Sequence, residues 1–344
     1  MTAAARTAAS DLPLKVAELR NPALLAQQRE AMARDHARLH RRLDEFVGVS
    51  CPACGQDRTE FAFEKYRCQF VRCQACDTLY MSPRPTPALM EDYYAHSENY
   101  RLWAEHIFPE SEASRREKLC RPMLQAIVQA CQRHGVPTGH LLELGPGFGT
   151  FAELVRDSGL FEHVSVVERT PEMAASCRRR GLRVHECAAE DLPDDVVGVA
   201  DVLVSFEVIE HVFDPAVFLH AASRLLRDGG LLVLTCPNGQ GFDTATLGAA
   251  SVAVDTEHVN LFNPSSLAAL LVRSGYEVLE ISTPGRLDVE LVRDALLHEG
   301  ADLSDQPFLR RVLFEEYGRL GTPFQQFLAT QGLAGNLRAF ARKK

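Results

Sequence analysis

From His140 onward the chain alternates short apolar runs with amphipathic stretches. Runs near 140–144, 163–168, 183–187, 201–206, 230–236 and 276–283 predict strands; stretches near 149–158, 171–180, 214–227 and 264–274 predict the helices between them. That alternation implies right-handed crossovers and a mostly parallel, doubly wound α/β sheet. The stretch 287–330 reads as helical, and the alternation of Leu337, Ala339 and Ala341 predicts a last, antiparallel strand.

Upstream the pattern is different. Asn21 to Phe46 reads as a helix with Pro22 at its first position and Leu24, Leu25, Met32, Leu39 and Leu43 on one stripe. His36 and His40, among Asp35, Arg38 and Arg41, are expected on its solvated face. The prolines of the run Ser82–Pro87 forbid regular pairing, and helices follow over 87–106 and 111–134. The pattern thus divides the chain into an N-terminal helical segment (1–47), a small module (48–81), a helical linker or cap (82–137) and an α/β domain (138–344) with a helical insertion near 287–330.

The small module carries Cys51-Pro-Ala-Cys54 and Cys73-Gln-Ala-Cys76, separated by 18 residues. Each Cys-x-x-Cys turn points two thiolates at one tetrahedral centre, and the separation is that of a four-cysteine zinc site. Four thiolates leave no open position, so the zinc is expected to be structural. Cys68 reads as a free thiol. Cys120, Cys131, Cys177, Cys187 and Cys236 read as core residues.

A second constellation follows the strand at 140–144. Glu143-Leu-Gly145-Pro-Gly147-Phe-Gly149 opens a helix, and such a glycine turn lets backbone approach a nucleoside closely. Glu168 ends the next strand, 23 residues after Gly145, where an acid can bind both ribose hydroxyls. Thr150 stands where a dinucleotide fingerprint wants Gly or Ala, and the acid Glu143 is unwelcome beside a pyrophosphate; both favour a positively charged ligand.

These residues resemble the class I S-adenosylmethionine-dependent methyltransferases, over about 140–283. The resemblance implies a Rossmann-like domain whose Glu143, Gly145, Gly147, Gly149 and Glu168 hold S-adenosylmethionine. Ala188 to Pro193 looks like the segment beside the adenine, which points to Glu190 or Asp191. The stretch DVLVSFEVIEHVFDP looks like the family's fourth strand and turn, where Phe206, Glu207 and His211 would line the cofactor or acceptor side. The four-cysteine module and the pair Glu257-His258 are similar to sugar C-methyltransferases acting on nucleotide-linked sugars, although Thr256 stands where that subgroup has tyrosine. That subgroup implies His258 as general base with Glu257 orienting it; His211, behind Glu210, is the competing histidine. Tyr93, Tyr94, Tyr100 and Trp103 are candidates for an aromatic wall over the acceptor.

Charge narrows the acceptor. With 37 Lys and Arg against 46 Asp and Glu, the net charge is −9, which disfavours general polyanion binding. The expected partner is a small molecule, a sugar or nucleotide sugar, with no nucleic acid and no membrane. The first residues lack an apolar signal core, and a cytoplasmic location is expected. An RNA base methyltransferase with a zinc ribbon and a non-catalytic S-adenosylmethionine-binding protein stand as alternatives. Oligomeric state is not legible.

Overall fold

The computed structural model describes residues 14–189, 191, 196–298, 300 and 303–344. Its strands are β1 (Thr59–Lys65), β2 (Cys68–Cys73), β3 (Leu79–Met81), β4 (His140–Leu144), β5 (His163–Val167), β6 (Arg183–His185), β7 (Ala200–Phe206), β8 (Leu226–Pro237), β9 (Asn260–Leu261), β10 (Tyr276–Ser282) and β11 (Asn336–Lys343). Seven form the main sheet, in the order β10-β11-β8-β7-β4-β5-β6. β4 to β8 pair in parallel, and β11 inserts antiparallel between β8 and β10. The alternating Leu337, Ala339 and Ala341 therefore lie inside the sheet, buried, rather than on its edge.

The central strands show no alternation because both of their faces are covered. Val202, Val204, Leu231 and Val233 pack against Ile127, Phe151 and Val155 from the helices Arg121–His134 and Thr150–Ser158. Leu203, Leu232 and Leu234 pack on the other side against Phe218, Leu219, Leu267 and Leu270 from Pro215–Leu225 and Pro264–Arg273. Local chemistry starts the latter two helices. Asp214 Oδ1 accepts from the amides of Ala216 and Val217, and Asn263 and Ser266 form a capping box ahead of Pro264.

The second sheet is antiparallel, in the order β1-β2-β3-β9. Its fourth strand comes from the α/β part of the chain: Leu79 pairs with Leu261 and Tyr80 with Asn260. Arg84, 1% exposed, rivets this junction. Its guanidinium donates to the carbonyls of Met81, Phe213 and Val259 and to Asn260 Oδ1, while Asn260 Nδ2 donates to the carbonyls of Ile209 and Val212. Two loops that follow different strands of the main sheet are thereby tied to the cysteine module.

One expectation fails in the N-terminal helix, observed as Leu25–Leu39 followed by a tighter turn, His40–Glu45. Asp35 and His36 are not solvated; they are 2% and 5% exposed. Asp35 accepts from Ser97 Oγ and the amides of Glu98 and Asn99, which start the helix Glu98–Leu102, and the His36 ring lies 4.0 Å from that of Tyr66. Burial pushes the His36 pKa down to about 4. No helix among the described residues is long and apolar enough to cross a membrane.

Candidate active site

The candidate residues collect at the carboxyl ends of β4, β5 and β7, where open parallel sheets bind ligands. After β4 the chain turns through Gly145 and Gly149, at φ of 73° and 84°. A Cβ on Gly145 would lie 2.8 Å from Val208 Cγ2, and one on Gly149 would lie 2.9 Å from Cys177 Sγ. Gly147, at the tip, has nothing within 4 Å of where its Cβ would be, so the turn presents bare backbone to open space. Glu143 is 3% exposed and its Oε2 has no hydrogen-bond partner; burial pushes its pKa up to about 8. Glu168, 6% exposed, accepts from the Thr170 amide at 2.7 Å, and burial raises its pKa too. Phe148, within the turn, packs its ring 4.2 Å from Phe108 and 5.8 Å from Trp103. Asp191 is exposed, and Glu190 lies outside the described residues.

β7 ends at Phe206, whose ring meets Phe151 edge-on at 4.9 Å. Glu207 adopts φ 54°, uncommon for a residue with a side chain, and its Oε1 accepts from Thr235 Oγ1 at 2.7 Å and Asn336 Nδ2 at 3.0 Å. Glu210 is fully buried and neither of its carboxylate oxygens has a partner. Burial, reinforced by Glu207, holds its pKa well above the carboxylate range.

The two histidines meet. Their ring centroids are 4.7 Å apart. His211 Nδ1 donates to the Glu257 carbonyl at 3.2 Å, with the Tyr94 hydroxyl 3.4 Å from the same nitrogen; His258 Nδ1 donates to the Ala253 carbonyl at 2.9 Å. Both imidazoles are half-buried, keeping 27% and 20% of their side-chain surface accessible. Burial, helped by His258, pushes the His211 pKa down to about 3. Burial also opposes charge on His258, but Asp255, the Ala253 carbonyl and Glu257 together outweigh it and raise its pKa. Asp255 is the carboxylate in ion-pair range of this ring, with Oδ2 3.5 Å from Nδ1, while its Oδ1 accepts from the amides of Glu257 and His258. The Glu257 carboxylate instead faces the Tyr93 hydroxyl, at 3.5 Å.

In the cysteine module, Cys51 Sγ lies 3.5 Å from Cys76 Sγ, and Cys54 Sγ lies 3.5 Å from Cys73 Sγ. All four sulfurs fall within 4.8 Å of one another. Thiolates about 2.3 Å from a tetrahedral ion stand roughly 3.8 Å apart, so the cluster suits one. The knuckles match: the amides of Gly55 and Asp77 donate to the carbonyls of Cys51 and Cys73, and both residues take positive φ. Cys68 is buried against Phe70, Met81 and Leu261, away from the cluster.

Residues 112–281 match the family model described as a methyltransferase domain. A ubiquinone biosynthesis O-methyltransferase of Xanthomonas campestris pv. campestris is 30% identical over 165 residues, covering 44% of this chain and 67% of the relative. The chain belongs to the S-adenosylmethionine-dependent methyltransferases. A Mycobacterium tuberculosis protein named a probable S-adenosylmethionine-dependent methyltransferase is 30% identical over 176 residues, covering 50% of this chain and 60% of that one. The chain thus spans about three fifths of that relative's length. Among solved structures, a phosphoethanolamine N-methyltransferase 2 of Haemonchus contortus in complex with S-adenosyl-L-methionine aligns with TM-score 0.43 and 18% identity, over 64% of this chain and 52% of that one.

In this methyltransferase fold Glu168 lies close enough to Glu143 to add to burial in raising the Glu143 pKa, and His211, His258 and Glu257 form a second group. The rings of Tyr93, Tyr94 and Tyr100 stand in a row, spaced 5.7 and 5.9 Å, with Tyr93 and Tyr94 at Glu257 and His211 and Tyr100 under the influence of Glu168. Trp103 joins the Phe108–Phe148 stack instead. Three residues escaped the sequence reading: Asp255, the buried Glu210 as a member of the histidine pair's surroundings, and Arg84. Only Asp255 carried a local signal, three residues ahead of His258, where its carboxylate can cap a turn.

Proposed function

We propose that the protein moves the methyl group of S-adenosylmethionine to a hydroxyl of a small molecule, a sugar or nucleotide sugar. The observation that carries the cofactor half is the buried Glu143, whose Oε2 has no partner, beside an open glycine turn, because S-adenosylmethionine is cationic and a buried carboxylate with an unsatisfied oxygen suits a cation. Glu168 would hold the ribose hydroxyls, with Glu190 or Asp191 near the adenine and Phe206 and Glu207 along the edge. The bound sulfonium supplies an electrophilic methyl. The protein's own groups fix the acceptor oxygen in line with it and take its proton, for which His258 is the assigned base, with His211 and Glu257 beside it. On transfer of that methyl to the acceptor oxygen, the hydroxyl proton would pass to His258 Nε2. Alignment of this kind supplies up to about 7–11 kcal/mol of a barrier.

Three features support the acceptor class. The Xanthomonas relative is named an O-methyltransferase. The edge-to-face rings of Tyr94 and Tyr100 are aromatic surface with hydroxyl tips, of the kind a sugar packs on. Arg115 lies over Trp103 at 5.5 Å with no carboxylate in ion-pair range among the described residues, a charge suited to a phosphate. The four cysteines are assigned one structural zinc.

The test of the cofactor site is calorimetric. Glu168→Ala should weaken S-adenosylmethionine binding by about 1.5–3 kcal/mol, the scale of hydrogen bonds to a charged group, and unchanged affinity would contradict the assignment. Glu143 adds a pH signature. With its pKa at about 8 in the free protein, it is mostly protonated at pH 7 and must lose that proton to pair with a cation. Binding at pH 7 should therefore release close to one proton, and affinity should rise with pH until about 8. Proton release that is the same in Glu143→Gln would remove Glu143 from the site.

A further inference from the structure

We infer that Glu210, His211 and His258 form a binding site for one divalent transition-metal cation, distinct from the cysteine cluster and placed beside the acceptor. The inference rests on the proposed methyl transfer for its role, though not for the site itself. Ring nitrogens of the two histidines and a carboxylate oxygen of Glu210 lie within 4.8 Å of one another. Both Nδ1 atoms are committed to backbone carbonyls, Glu257 for His211 and Ala253 for His258. That fixes each tautomer and leaves both Nε2 lone pairs available, which is how ligating histidines are held.

Glu210 is an independent observation. It is fully buried with neither oxygen partnered, and His211 Nε2 stands 3.8 Å away, too far for a hydrogen bond. An unpaired carboxylate at that depth is costly, and a cation between it and the two imidazoles removes the cost. Glu207, three residues earlier, lies outside the set, and its Oε1 accepts from Thr235 and Asn336.

Two imidazoles and one carboxylate leave coordination positions open, unlike the closed four-thiolate set. Nitrogen donors favour iron, cobalt, nickel or zinc over magnesium and calcium, which take oxygens. An acceptor hydroxyl in an open position would be oriented and acidified by the ion. Its proton then leaves to water, the oxygen takes the methyl as the carbon–sulfur bond breaks, and the metal's oxidation state is unchanged. His258 serves as a ligand in this state rather than receiving the proton itself.

The experiment titrates the zinc-loaded protein with Co²⁺, followed by calorimetry and visible absorption. We expect one Co²⁺ per chain beyond the zinc, with weak visible bands and none of the intense near-ultraviolet bands of thiolate ligation. Glu210→Gln and His211→Gln should each abolish that binding while zinc content and S-adenosylmethionine affinity stay as in the parent. Absence of Co²⁺ binding at millimolar concentration, binding that survives both substitutions, or thiolate bands would each overturn the site. Turnover is read separately, after a chelator too weak to take the thiolate-bound zinc. Loss of turnover restored by Co²⁺ supports the role; turnover that survives chelation overturns it and returns the proton to His258. If Co²⁺ binds as described but no hydroxyl acceptor is methylated with or without it, the proposed function fails and the metal site stands.

Discussion

His258→Asn should lower turnover on a hydroxyl acceptor by ~10²-fold or more while leaving S-adenosylmethionine affinity unchanged. Asparagine can neither accept the acceptor's proton nor ligate a cation as imidazole does, so the loss is expected under either use of the ring. The backbone around the substitution should hold, because Asp255 Oδ1 accepts from the amide of residue 258 and the Val259 carbonyl accepts from Met81. His211→Asn is the companion measurement, since its ring lies 4.7 Å from that of His258. Glu257→Gln should be mild: its main-chain carbonyl, which serves His211, survives the change, and its carboxylate faces Tyr93. Asp255→Ala should cost more than Glu257→Gln, because both the ring and the loop amides lean on Asp255. Near-parent turnover in His258→Asn would end the assignment.

The second large effect is expected from the cysteines. Stripping the assigned zinc, or replacing Cys73 by serine, should melt the β1-β2-β3 sheet. Structural zinc contributes on the order of 10–16 kcal/mol in small peptides near pH 7, comparable with the whole stability of a typical domain. The damage should spread to the acceptor side, because β9, Arg84 and the Asn263–Cys76 hydrogen bond join that sheet to the loops carrying His211 and His258. Hydrogen exchange should then show lost protection at 59–81 and 255–262, while β4, β5 and β7 stay protected and S-adenosylmethionine still binds. Metal analysis should give about one zinc per chain before stripping. A metal-free protein with an unchanged melting temperature would refute the zinc.

What could be read from sequence follows the range of the interaction. The cysteine knuckles, the glycine turn and Glu168 are local signals, in which a few adjacent residues fix both backbone and chemistry. The apolar runs of β4, β7 and β8 are equally local, because two-sided burial leaves no polar position to confuse them. Asp35 and His36 were misread because what covers them, Ser97–Asn99 and Tyr66, lies far along the chain. The same holds for Arg84, whose acceptors come from three separate segments. Two-residue β9 has no pattern of its own; it exists because β3 offers an edge.

That edge also bears on how the chain is made. Leu261 is synthesised 180 residues after Met81, so the cysteine-bearing part of the small sheet emerges long before the strand that completes it. Until then β3 presents unpaired amides and carbonyls along an apolar strand, a template for joining a second nascent chain. The nascent edge is therefore open to misassembly over this interval, and early capture of the assigned zinc, which would fix the knuckles without covering the edge, would not shorten it.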